Sequence, residues 1–341
     1  MVAALISSPA SNSESPAPGA SAPESATPPA RSGTTRLRAA IRIVGAAVLT
    51  ALIVRQVDFH EFAPILREAD LLAIACSLLL IALVRAAMAW RFQRAAQQFD
   101  LYPGYHAAFA ILMSSSLAGF VLPGGIAQDA LRGVQLNSLF NRPGAALSAM
   151  LLDKYYGIVA ILPVGVAALL VVGDTLPPAL NWTFYLALAG ALFATLFARP
   201  ISSWLVRLHM PEKVKQLFAV IAQNIGLSRS FTELLGLSLV IQVLRCLSVI
   251  ALFYAFDVGI DPMLGFVYVP IVVIVIIAPI SIGGLGVREG ILLALFLPLG
   301  ADAERLVLVG IASLLIELVS ALPGFWYVVR GFPEPQRTRS G

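Results

Sequence analysis

The chain has 341 residues, of which 59% are hydrophobic and only 12% charged, with a mean hydropathy of +0.87 and a formal net charge of +4. A soluble domain carries about 25% charged residues, so the composition excludes a soluble enzyme or binding module and indicates a polytopic membrane protein. The basic excess is mostly arginine, scattered at the ends of apolar runs without an aromatic-interleaved patch, which reports membrane topology and excludes nucleic acid as a partner.

Residues 1–35 mix Ser, Pro, Ala and Glu without periodicity and are expected to form a disordered cytoplasmic tail. They do not read as a signal peptide, because the basic cluster comes at their end. Arg31, Arg36, Arg38 and Arg42 flank the start of a first span at about 39–57, which places the N-terminus in the cytoplasm. The following connection, Arg55 to Asp70, carries Asp58, Glu61, Glu68 and Asp70 and should face outward. Span two, about 70–90, returns inward and ends in Arg85, Trp90, Arg91 and Arg94, an interfacial aromatic with basic anchors. Arg85 is expected to snorkel to that interface.

A broken element follows at 106–140. Its first part is apolar; then Leu122 to Arg132 (LPGGIAQDALR) sets Pro123, Gly124 and Gly125 just before an acid and a base. Asp129 and Arg132 are three apart, so on a helix starting after the glycines they share one face. Span three, about 145–172, carries Asp153 and Lys154 and exits outside. Span four, about 182–200, leads to Arg199, Arg207, Lys213, Lys215 and Arg229, a cytoplasmic loop. Span five, about 233–256, holds Arg245 and exits to Asp257 and Asp261. A second broken element, 264–300, contains Pro279 to Glu289 (PISIGGLGVRE), where Gly283 and Gly284 precede Arg288 and Glu289. Span six, about 306–329, carries Glu317 and ends at Arg330, before a cytoplasmic tail at 332–341.

The charge signs close only if each broken element enters and leaves on one side. The predicted fold is therefore all-α, with six full spans and two re-entrant helical hairpins in an inverted 3+3 repeat. It forms a single transmembrane domain, 36–331, with halves at about 39–172 and 182–330. Carriers with a midplane site use this arrangement, and helices discontinuous at glycine breaks mark the site. Both termini are expected in the cytoplasm.

Ionisable groups inside the hydrocarbon cost roughly 2.5 to 3.5 kcal/mol each on insertion scales, so each needs a reason. One account pairs Arg245 with Glu317, and Arg132 with Asp129 or Asp153, as structural ion pairs. The other groups Arg132, Lys154, Arg245 and Arg288 with backbone N–H groups freed at Gly124, Gly125, Gly283 and Gly284. Helix N-termini after Gly125 and Gly286 would add partial positive charge, making an anion site suited to phosphate. Asp129, Asp153, Glu289 and Glu317 would orient those bases or touch a cationic or sugar portion of the ligand.

Catalysis, metal binding and cofactors find no support. No Ser/His/Asp grouping appears, and His60, His106 and His209 are isolated from one another. Cys76 and Cys246 are too few for a disulfide framework. GGLGVREG lacks the Gly-Lys-Ser/Thr of a nucleotide-binding loop. The chain is expected not to be an enzyme.

Several blocks resemble the membrane domain of lysylphosphatidylglycerol synthase/flippase proteins, including free-standing flippase-like members. They are Arg85 to Arg91 (RAAMAWR), LPGGIAQDALRG, Asp153-Lys154, Pro279 to Gly290 (PISIGGLGVREG) and Leu322-Pro323-Gly324. The resemblance spans about 40–330. It implies movement of a lipid with a phosphate-bearing, aminoacylated or glycosylated head group across the bacterial inner membrane. The family's first block commonly reads Gly-Gly-Asp, whereas here Ile-Ala-Gln separates Gly125 from Asp129. In well-known relatives a soluble synthase domain follows; the chain stops at Gly341, and that activity is expected to be absent. Free-standing relatives look like companions of hopanoid, polyprenyl-phosphate sugar or glycolipid pathways, which implies lipid-pathway enzymes as partners. The alternatives are a non-transporting accessory membrane protein and a membrane-embedded transferase.

Overall fold

The computed structural model describes residues 69–120, 125–172, 229–277 and 286–330, with a few isolated residues between 182 and 190. The two tails, the first span, most of the fourth and the four residues Pro123, Gly124, Gly283 and Gly284 lie outside the described residues. All regular structure among the described residues is helical.

In chain order the helices are α1 (Leu71–Gln97), α2 (Tyr105–Gly119), α3 (Gly125–Phe140), α4 (Pro143–Val159) and α5 (Ile161–Val172). Then come α6 (Arg229–Ala255), α7 (Gly265–Ile277), α8 (Val287–Phe296), α9 (Ala303–Ala321) and α10 (Pro323–Arg330). Four stretches are long and apolar enough to cross a bilayer: α1, α4 with α5, α6, and α9 with α10, each of 26 to 30 residues. At 1.5 Å per residue these reach about 40 Å, more than the ~30 Å hydrocarbon core. They correspond to spans two, three, five and six of the sequence reading. Span two runs seven residues further than its expected end, to Gln97, because Arg91 and Arg94 continue the helix instead of closing it.

Local chemistry sets the helix ends. Asp70 caps α1 by accepting from the amides of Leu72 (2.8 Å) and Ala73 (3.3 Å). Asp302 does the same for α9 through Glu304 and Arg305. An acidic cap satisfies orphan N–H groups and complements the helix dipole. Pro163 lacks the N–H that would bond back to Val159, so the third span turns at Ala160. Pro323 interrupts the last span in the same way at Leu322. Both glycine breaks are followed by helices: α3 begins at Gly125, and α8 begins after Gly286, whose φ of +77° disfavours any side chain.

α1 and α6 form the central pair. Ser77 and Ser248 meet across them, Oγ to Oγ at 2.7 Å, and both are buried. Small polar residues at such a crossing let two backbones approach and bond to each other. α1 also packs against α2, α4 and α9; α6 packs against α4, α5, α7 and α9. Gly324 brings α10 onto α2 so closely that an added Cβ would collide with the Met113 backbone. The spans turn apolar side chains outward and bury their polar ones within a largely apolar interior. Leu79, Leu83, Val240, Leu247 and Val319 are exposed, while Ser77, Arg85, Arg91, Asp153, Ser238 and Gln242 are buried. A lipid-facing surface has this character.

Candidate functional site: a base-rich cavity among the spans

A cavity of about 250 Å³ opens between α1, α3, α4, α5, α6, α7, α8 and α9. Arg85, Arg91, Arg132, Lys154, Arg245 and Arg288 line it, against Asp129, Asp153 and Glu317, a formal excess of three positive charges. Arg85, Arg245 and Glu317 lie near the middle of their spans, so the charge is held at mid-depth of the apolar segments.

The charges divide into two groups. In the first, Arg91 of α1 donates to both oxygens of Asp153 on α4, at 2.7 and 3.2 Å, and a third donor reaches Ser238 of α6 at 3.1 Å. This is a fork-on-carboxylate pair with both side chains buried. Asp129 of α3 is held by Lys154 of α4 and by Arg132 one turn on, at 3.5 Å. Arg132 also donates to Ser115 of α2 at 3.0 Å.

In the second group, Arg288 of α8 pairs with Glu317 of α9 at 2.9 Å and donates to Ser313 at 3.3 Å. Arg85 has, among the described residues, only neutral acceptors: Ser116 at 2.9 Å, Ser320 at 3.2 Å and the Glu317 carbonyl at 3.1 Å. Arg245 reaches, among the described residues, only the Met88 sulfur, at 3.6 Å, and its Nε has no hydrogen-bond partner there. Among the described residues no carboxylate lies within ion-pair distance of Arg85 or Arg245. The Nε of Arg288 and the amide oxygen of Gln242 are also buried and without partners.

Of the twelve residues singled out from the sequence, Asp129, Arg132, Asp153, Lys154, Arg245, Arg288 and Glu317 converge on this cavity. Gly124, Gly283 and Gly284 lie outside the described residues, and Gly125 opens α3. Glu289 does not join the others. It follows Arg288 directly and therefore turns to another face of α8, where it packs against Gly310 with both carboxylate oxygens lacking a partner.

Several expected pairings are corrected. Glu317 takes Arg288 and not Arg245, because α9 packs along α8. Asp153 takes Arg91, while Arg132 pairs with Asp129, the other of its two expected partners. Arg85 and Arg91 are not interfacial anchors. Both guanidinium groups are buried, since α1 runs on to Gln97 and stands at the centre of the bundle. The sequence reading missed Gln128, Gln242 and the serines that hold the arginines. The run Ser114-Ser115-Ser116 in an apolar helix was the available signal, because hydroxyls buried among spans need partners.

The family model described as Lysylphosphatidylglycerol synthase TM region matches residues 39–324. No curated protein and no solved structure gave a match.

Proposed function

The chain belongs to the lysylphosphatidylglycerol synthase transmembrane-region family, and from that premise we propose that it is a translocase or facilitator for a membrane lipid with an anionic head group. A family defined by a membrane region concerned with lipid, and a multi-pass helical protein with a charged interior, agree with this coarse reading. One observation carries the finer one. The cavity holds an excess of arginine at mid-depth of the spans, and among the described residues Arg245 makes no ion-pair contact, sharing the one nearby acid, Glu317, with Arg288. A half-buried guanidinium with an unpartnered Nε and no acid in contact is costly, and a phosphate supplies what it lacks through charge-assisted bonds. The other walls, including Ile158, Ile161, Val269, Val272 and Val273, are apolar and suit the acyl part of a lipid. A free phosphate would leave them unused.

The packing supports an inverted repeat as the carrier frame. α1 lies on α2 as α6 lies on α7; α3 lies on α4 as α8 lies on α9; α1 meets α4 as α6 meets α9. Across the halves, α9 lies on α1 as α4 lies on α6, and α10 on α2 as α5 on α7. The proline bends at Pro163 and Pro323 occupy corresponding places. With both termini in the cytoplasm of a bacterial cell, the two broken elements would enter from opposite faces. Cysteines at Asn141 and Leu299 should then label from opposite sides, and labelling of both from one side overturns the repeat.

The role assigned is transport without chemical change to the lipid. Proteoliposomes carrying the protein and a fluorescent anionic phospholipid test it. Bleaching by an impermeant reductant should pass beyond the outer-leaflet pool with wild type and return to that pool with Arg245→Gln. Bleaching limited to the outer leaflet with wild type would favour a non-transporting accessory of lipid-pathway enzymes. The closed Arg91–Asp153 pair, which needs no ligand, is the observation on that side.

A further inference from the structure

We infer that Gln242 selects the head group, accepting a hydrogen bond from a hydroxyl or ammonium on a phospholipid whose phosphate rests on Arg245. The inference builds on the anion-site reading above and adds the chemistry of the group beside the phosphate. Gln242 is 5% exposed and lines the same cavity. Its amide nitrogen donates to the Gly157 carbonyl, a long bond at 3.5 Å. That partner is an acceptor only, so it fixes which end of the amide is which. The free end is therefore the oxygen, and it is buried without a partner.

An amide oxygen left unpaired away from water carries a desolvation cost that only a donor removes. Gln242 and Arg245 are three residues apart on α6, and Ile241, Ser248 and Val249 of that face also line the cavity. The two side chains thus stand about 4.5 Å apart along the helix axis. That separation matches a phosphodiester and the next polar group along a short head group. Glycerol, amino-alcohol and sugar head groups offer such a donor. A methyl ester does not.

The test uses two lipids of equal charge. The purified full chain in detergent is titrated with dioleoyl phosphatidylglycerol or dioleoyl phosphatidylmethanol, and bound lipid is read by native mass spectrometry. Wild type should prefer the glycerol lipid by about tenfold, the worth of one hydrogen bond to a buried acceptor. Gln242→Met should bring the ratio to about one. If Gln242→Met does not fold, Gln242→Asn, which draws the amide back by one methylene, is read in the same way. Equal affinity of wild type for both lipids, or a variant that keeps the tenfold ratio, overturns the role of Gln242 and leaves the anion site standing. Wild type binding neither lipid better than Arg245→Gln does overturns the anion site, and this inference with it.

Discussion

The two charge groups in the cavity differ in how completely they are closed. Around α4, Arg91 and Asp153 satisfy each other on both oxygens, and Asp129 is shared by Lys154 and Arg132. Around α6 and α9, three arginines face one carboxylate, Glu317, which only Arg288 engages as an ion pair. A closed network fixes how helices sit, because breaking it strands a charge in a medium that cannot solvate it. An open network costs free energy until something enters it. The same residue type therefore serves as a girder in one half and as a waiting site in the other.

The largest effect should come from opening the closed side. Asp153→Asn strands Arg91 between α4 and α6 and should destabilise the protein by about 3–5 kcal/mol, read as thermal unfolding in detergent. Arg245→Gln, with no acid to strand, should unfold close to wild type. If Arg245→Gln is the more damaging of the two, the division between girder and site is wrong. Next, Glu317→Gln removes the competitor for Arg288 on the open side. Affinity for phosphatidylglycerol should rise on the order of three- to tenfold, and a fall would mean that Glu317 holds the ligand itself. The smallest effect lies at the α1–α6 crossing. Ser77→Ala removes one buried hydroxyl pair and should cost about 0.6 kcal/mol, the average for such bonds in membranes. It should leave the lipid preference unmoved.

Much of this was legible in the residues themselves. The long apolar runs gave spans two, three, five and six, and the glycine blocks gave helices that begin shortly before Asp129 and Arg288. Seven of the twelve proposed site residues meet in one cavity because charges inside spans have few places to go other than the interior. Partners were less legible. Arg91 looked like an interfacial anchor because it closes an apolar run beside Trp90, yet it is buried against Asp153.

The sequence by itself determined a helical multi-pass protein with basic groups concentrated inside it. Hydrophobic run length, glycine and proline placement, and the cost of a charge in hydrocarbon are all local properties of the chain. Which base meets which acid was decided only by tertiary structure. Arg91 and Asp153 are 62 residues apart, Arg288 and Glu317 are 29 apart, and Arg245 is left over. Such pairings depend on which helix faces are turned together, and a side chain one residue along, as Glu289 is from Arg288, points about 100° away around the helix and out of the site.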